Sequence, residues 1–345
     1  MSEIRRQMSM RDFSRQIGVS PATVSRVFSN PDAVAGGTRE WVLKEARKAG
    51  FRPSPVTRSA IGKSTRSIGV LVPDLSVSFF ADIARGVQAA LLAEDYLPVV
   101  LSNDGEDGLR GVQRMIDHRV DALIFGVSDE AISQADLVAI TGEKFPLIVV
   151  DQPHPGFEYD TVLSDDDLGG FQAGEHLAGL GHRRVGCVHY GEGTSNCEAR
   201  IAGCRRALAA VGGEMRPADV VQVPVHGEED VLKRTVVSEL ERMLGMPDQP
   251  TAVFATTDLF ARDVMLAARR LGLRIPDDLS VVGFADLNFA DLTDPPLTTI
   301  RQNGLALGRQ AAEMAMKRIA EPERECCRTV IPTRLVVRGT TATAP

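Results

Sequence analysis

No apolar run in the 345-residue chain reaches the roughly 18 residues that a membrane-spanning helix requires. The opening residues, MSEIRRQMSMRDFSRQ, lack the apolar segment of a signal peptide, so a cytoplasmic protein is expected. Cysteine is scarce and odd in number: Cys187, Cys197, Cys204, Cys326 and Cys327 form no C-x-x-C pair, which argues against a disulfide framework or a zinc site. All five are expected as reduced thiols, with the adjacent Cys326 and Cys327 buried near the last strand. His118, His154, His176, His182, His189 and His226 make no H-x-x-x-H pair, and no serine sits in a nucleophile elbow. GEGTSN, 191 to 196, lacks the lysine and spacing of a phosphate-binding loop. The adjacent carboxylates of SDDD, 164 to 167, do not converge on one point and read as a strand-to-helix loop with one capping Asp. No enzymatic activity, cofactor or metal is expected.

What is present is an uneven charge. Residues 1 to 66 carry 13 Lys and Arg against 5 Asp and Glu, a balance of +8, while the remaining 279 carry 26 against 41, or −15. A basic head on an acidic body fits a module that meets nucleic-acid phosphates, attached to a separate domain. Within the head, Ser20 before Pro21 is a helix start, because proline at the first helical position has no amide hydrogen to lose. A preceding helix from Ser9 to about Ile17, the turn at Gly18 and a third helix from Thr38 to about Ala49, stopped by Gly50, complete a helix-turn-helix spacing. Val24, Val27 and Phe28 face a small core. Ser20, Pro21, Ala22, Thr23, Ser25 and Arg26 are left to face DNA, with Arg26 suited to a bidentate contact with guanine.

In the body, Val- and Ile-rich runs of strand length recur: IGVLV (68 to 72), LPVVL (97 to 101), ALIFG (122 to 126), PLIVV (146 to 150), VGCVH (185 to 189), AVFAT (252 to 256) and LSVVGF (279 to 284). Helical segments alternate with them, which predicts doubly wound parallel sheets with both faces covered, enough for two lobes and a cleft beyond the strand ends.

The runs GVSPATVSRVFSN, TRE (38 to 40), AGFRP (49 to 53), SIGVLVPDLSVSFFADIARGVQ (67 to 88), HLAGLGHRRVG (176 to 186), IPDDLSVVGF (275 to 284) and DPPLTTIRQN (294 to 303) carry a resemblance. In this order, over nearly the whole chain, they resemble the lactose/galactose/purine repressor family of bacterial transcription regulators. The resemblance implies a small all-α helix-turn-helix head (1 to 52), a hinge (53 to 66) and an α/β two-lobed, periplasmic-binding-protein-like core (67 to 345) that binds an effector and dimerises. Its hinge orders on operator DNA and pushes a leucine into the minor groove. Here Ala60 takes the leucine position with Ile61 beside it, so Thr57, Ala60 and Ile61 are the implied hinge contacts, through a smaller wedge or through Ile61.

By the same resemblance the effector cleft is lined by Phe79, Phe80, Asp151, Arg200, Thr257, Ala285, Asp286 and Gln302. Aromatic faces pack on sugar carbons, carboxylates accept from hydroxyls, and a guanidinium donates in a fork. Core packing also accounts for the two phenylalanines, and a cap for Asp151. Many sugar-binding members have Asn at the position of Thr257 and Asp at that of Ala285. With those partners weakened and Arg200 retained, a common aldohexose is disfavoured and the sequence shifts the expectation toward an anionic or less hydroxylated metabolite such as a sugar acid, within an expected effector class of sugar, sugar acid or related metabolite.

The expected function is therefore that of a ligand-gated transcriptional repressor, nucleoid-associated, binding a pseudo-palindromic operator as a homodimer. GTTATAP after LVV (335 to 337) shows no apolar heptads, so no tetramerising tail is expected. A small-solute-binding protein without a DNA-dependent role accounts for the body but not for the +8 head. A sugar-modifying enzyme would need a general base or phosphate loop that the sequence does not display.

Overall fold

The computed structural model describes residues 8–29, 33–51, 64–103, 108–126, 132–152, 158–191, 195–224 and 229–345. The chain forms two compact units, one comprising the N-terminal residues through Ser67 with Arg119–Asp121, the other the remainder.

In the first unit, α1 (Met10–Ile17), α2 (Pro21–Ser29) and α3 (Gly36–Ala49) are the three helices expected from the capping signals. The Ser9 hydroxyl accepts from the Asp12 amide at 3.1 Å, and that of Ser20 from the Thr23 amide at 3.0 Å. Each such cap contributes about 1 kcal/mol. Gly18 ends α1 at φ 67°, a conformation that costs glycine little. Phe13, Val24, Val27, Val42, Ala46 and Phe51 form the core, with Phe13 and Phe51 stacked 4.1 Å apart and Phe28 edge-on to Phe51. Farther along the same unit, the Asp121 carboxylate accepts from the Ser64 hydroxyl at 2.6 Å and from the amides of Thr65 and Arg66 at 2.8 and 2.7 Å. It fixes a turn in which Arg66 has φ 52°.

The second unit has two lobes. The first contains β1 (Ser67–Val72), α4 (Ser78–Ala93), β2 (Leu97–Ser102), α5 (Gly108–Asp117), β3 (Ala122–Phe125), α6 (Gln134–Thr141), β4 (Leu147–Val150) and β5 (Asp160–Ser164). The second contains α7 (Asp166–Gly179), β6 (Val185–Tyr190), α8 (Ser195–Ala209), β7 (Val220–Val223), α9 (Glu229–Leu244), β8 (Ala252–Ala255), α10 (Asp258–Arg270), β9 (Ser280–Ala285) and β10 (Thr298–Arg301). The chain returns to the first lobe with α11 (Gly304–Ala320) and β11 (Arg328–Ile331), then crosses again to β12 (Arg334–Val336). Strand order is β11-β5-β4-β3-β1-β2 in one sheet and β12-β10-β9-β8-β6-β7 in the other. β12 joins antiparallel; the strands it and β11 lean on run parallel. Three connections therefore cross between the lobes, after β5, β10 and β11.

Central strands are buried along their length, as their Val- and Ile-rich sequences require. LPVVL departs from that expectation. It forms the edge strand β2, with Leu97 60% and Val100 39% exposed, because among the described residues no strand covers its outer side in the sheet. In each lobe one helix pair packs backbone to backbone. A Cβ on Gly308 of α11 would lie 2.0 Å from the Ile83 carbonyl oxygen of α4, and one on Gly170 of α7 would lie 1.8 Å from that of Arg200 in α8.

Candidate functional site

Two surfaces carry the candidate chemistry. On α2, alternation between Val24 and Val27 inward and the rest outward leaves Ser20, Pro21, Ala22 and Arg26 exposed and Thr23 and Ser25 half-buried. Ser20 and Thr23 also join through their hydroxyls at 2.8 Å, so the start of this helix is a polar, pre-ordered edge. Thr57, Ala60 and Ile61 lie outside the described residues, as does most of the 53 to 66 segment.

The second surface is the crevice beyond the carboxyl ends of the strands, where open α/β sheets bind ligands. A cavity of about 580 Å³ is lined there by Phe79, Asp82, Ala285, Asp286, Gln302 and Thr333, among others. Four of the expected positions, Phe79, Ala285, Asp286 and Gln302, thus meet at one cavity. Phe79 reaches it from the core of the first lobe, where it meets Phe80 edge-on at 5.2 Å; Phe80, Asp151, Arg200 and Thr257 are not in the lining. The Asp286 carboxylate is already held by Arg301 and, at 2.7 Å, by Arg338, which makes it a strut at the rim.

Gln302, which lines the cavity, also belongs to a buried polar cluster with Asp151, Asp166 and Arg200. Gln302 donates from Nε2 to the Ser164 hydroxyl at 2.9 Å. Arg200 donates from Nε to Asp166 at 2.8 Å and from Nη1 to the Thr256 carbonyl at 2.7 Å, and its guanidinium lies 3.9 Å from the centre of the Phe284 ring. Its fork is taken. Asp151 is 5% exposed, and its Oδ1 has no hydrogen-bond partner. Burial pushes the Asp151 carboxyl up to about 7, helped by the Asp166 charge and opposed by Arg200 and Gln302. Burial likewise raises Asp166 against the pull of Arg200. Two carboxyl groups thus share one guanidinium, and the cluster is short of positive charge and of donors.

Backbone strain collects at the same place. Asp151 has φ 72°, Ala285 112° and Asp286 59°, where β4 and β9 end. Side chains rarely adopt these values unless the surroundings impose them, and such residues concentrate at ligand sites. Three contributors escaped the sequence reading. Ser164 and Asp166 belong to SDDD, whose Asp165 does cap α7, accepting from the Leu168 amide at 3.0 Å. Asp258 accepts from the Thr299 hydroxyl at 2.5 Å and the Leu287 amide at 2.6 Å; burial against those two bonds pushes its carboxyl up to about 7. A signal existed for Asp166, one acidic residue at a helix start next to the candidate crevice, but nothing in the spacing tied it to Arg200.

Among the described residues, no group of three or more His, Cys, Asp or Glu side chains is placed to hold a metal ion, and no helix is long and apolar enough to cross a membrane.

Comparison with known proteins places these features together. Residues 9–54 match bacterial regulatory proteins of the lacI family, and residues 175–341 match a periplasmic binding protein-like domain. The HTH-type transcriptional repressor PurR of Photobacterium profundum is 30% identical over 319 residues, 92% of this chain and 93% of that protein. The HTH-type transcriptional repressor CytR of Escherichia coli (strain K12) is 29% identical over 343 residues, 98% of this chain and 97% of that one. A crystal structure of a LacI family transcriptional regulator from Enterococcus faecium with bound ribose has a TM-score of 0.69 and 28% identity, covering 81% of this chain and 100% of that one.

Proposed function

The chain belongs to the lacI family of bacterial regulatory proteins, and from that premise we propose that it is a repressor that reads DNA through α2 and senses an uncharged, hydroxyl-rich metabolite in the crevice. Residues 1 to 52 act as the DNA-reading head, 53 to 66 as the hinge and 67 to 345 as the sensor. Pro21, Ala22 and Arg26 meet base edges, Ser20, Thr23 and Ser25 meet phosphates, and Thr57, Ala60 and Ile61 engage the minor groove. The sensor serves as a regulator and not as an enzyme, and acts at the nucleoid in the cytoplasm.

The observation that carries the effector class is the Asp151 carboxyl, buried with Oδ1 unpartnered and within charge range of an arginine that Asp166 already pairs. The sequence favoured a sugar acid because Arg200 had no acidic partner in view. Asp166 is that partner, which removes this ground. A ligand that donates hydroxyl hydrogens satisfies Asp151, whereas an anion would add a charge where one guanidinium already serves two carboxyls. The ribose held by the Enterococcus faecium regulator is of the favoured kind. Phe79 packs on the sugar's carbons; Gln302 fixes its edge, and Phe80, Thr257 and Asp286 support the wall.

Assembly as a homodimer finds support in the edge of the first sheet. Leu97 and Val100 of β2 and the 53%-exposed Leu92 of α4 leave an apolar margin suited to a second copy. Thermal-shift measurement of the full chain with neutral pentoses and hexoses beside their aldonic and uronic acids tests the effector class. Stabilisation by neutral sugars is expected; stabilisation by the acids alone would overturn it.

A further inference from the structure

The adjacent cysteines near the C-terminus are not buried as the sequence suggested. Cys326 and Cys327 are both exposed, while Cys187, Cys197 and Cys204 are buried. The reason is local: the two thiols lie in the turn between α11 and β11, at the edge of the first sheet, where among the described residues β11 pairs with β5 alone. Each thiol has a guanidinium beside it. Arg318 Nη2 lies 3.6 Å from Cys326 Sγ, and Arg324 Nη1 lies 3.6 Å from Cys327 Sγ.

The same two arginines hold a buried carboxylate. The Asp160 side chain, at the start of β5, is 0% exposed; it accepts from Arg318 Nε at 2.9 Å and from the Cys327 amide at 2.9 Å, and pairs by charge with Arg324 Nη2 at 2.6 Å. Burial works against the charged form, but the hydrogen bonds from Arg318 and the Cys327 amide and the charges of Arg318 and Arg324 hold Asp160 below its ordinary value. The Thr161 amide then donates to the Cys327 carbonyl at 2.9 Å, which begins the β5–β11 ladder. The segment that presents the thiols is therefore also the clamp that fastens β11.

We propose that Cys326 and Cys327 are a reversible thiol-modification site, reacting with low-molecular-weight disulfides, whose oxidation loosens the Asp160 clamp. A guanidinium beside sulfur favours the thiolate, the attacking species. Burial pushes the Cys326 thiol up, and Cys326 Sγ also donates to the Glu158 carbonyl at 3.2 Å, so Cys327 makes the first attack. Its thiolate displaces one half of the small disulfide: a Cys327–S bond forms, the S–S bond breaks, and the leaving thiolate takes up a proton. Cys326 then displaces the second small thiol, closing a Cys326–Cys327 disulfide. Two protein thiols are oxidised and one small disulfide is reduced to two thiols. The buried thiols stay out of the reaction; burial pushes Cys204 up to about 12 and raises Cys187 as well.

The test is incubation of the folded full chain with oxidised glutathione, followed by alkylation and peptide mass spectrometry. We expect oxidation confined to the peptide carrying Cys326 and Cys327, as a glutathione adduct or internal disulfide. The site should be lost in Cys327→Ser, trapped as a stable adduct in Cys326→Ser, and slowed several-fold in Arg324→Gln. Oxidised wild type should melt below reduced wild type and recover with dithiothreitol, whereas Cys327→Ser should melt at one temperature in both conditions. Reduced thiols at 326 and 327 after treatment, labelling spread over all five cysteines, or an unchanged rate in a folded Arg324→Gln protein would overturn the proposal.

Discussion

Arg200 and Asp166 close an ion pair at 2.8 Å in which each side chain is only 7% exposed. Such a pair is expensive to break from one side, because the remaining charge is left buried without a partner. Asp166→Ala is expected to cost about 3–5 kcal/mol of stability, the usual range for this lesion. Urea unfolding of the full chain reads it directly; a cost below about 1 kcal/mol would show that the pair is not closed as described.

Asp151 gives the protein a pH signature. Its carboxyl is raised from 3.8 to about 7 in the fold, so the folded state binds a proton that the unfolded chain has released. The stability it contributes is present below about pH 4 and lost as pH rises toward 7, at up to about 1.4 kcal/mol per pH unit. Asp151→Asn removes that slope. Unfolding curves between pH 5 and 8 are expected to show the variant gaining on wild type as pH rises, then a constant difference. Parallel pH profiles would contradict the assignment. The same variant is expected to lose stabilisation by neutral sugars.

Two of the four glycines of α7 make a contrasting pair. At Gly170 a Cβ would meet the Arg200 carbonyl oxygen at 1.8 Å, while at Gly179 it would meet nothing within 4 Å. Gly170→Ala is expected to destabilise by about 1–3 kcal/mol through overpacking. Gly179→Ala should stabilise by about 0.4–1 kcal/mol through the unfolded chain. Thermal melts of the two variants check the sign of each.

These contrasts show where sequence reasoning reached and where it stopped. The head was legible because Ser9, Gly18, Ser20 and Pro21 are local signals, and each acts within one helical turn. Strands β1, β3, β4, β6, β8 and β9 were legible from their apolar runs. β5 (DTVLS), β7 (VVQV), β10 (TTIR) and β11 (RTVI) were not read from apolar pattern, because Thr298 and Thr299 are buried without being apolar and β11 is only half-covered. The crevice positions came by resemblance, while the partners that decide their chemistry did not. Asp166 lies 34 positions before Arg200 and looks no different from its acidic neighbours until the α7–α8 packing brings it there. Exposure of Cys326 and Cys327 is likewise a property of their place at a sheet edge, not of their sequence.

Asp121 should act as a clamp on residues 64 to 66. Hydrogen bonds to a charged acceptor contribute about 1.5–3 kcal/mol each, and Asp121 receives two from backbone amides. Asp121→Ala is expected to raise hydrogen exchange at the Thr65 and Arg66 amides by at least about tenfold, while amides in β8, within the second lobe, keep their protection. Equal protection in both proteins would remove the clamp.

The most direct test is selection of duplexes from a random pool by the full-length protein and by Arg26→Ala, with and without a neutral sugar that stabilises the fold. A pseudo-palindromic consensus is expected, with retention that changes when the sugar is added. Arg26→Ala should lower affinity for it by about 1–3 kcal/mol and relax one base pair in each half-site. Failure to enrich any sequence, or a consensus indifferent to both Arg26 and sugar, would contradict this expectation.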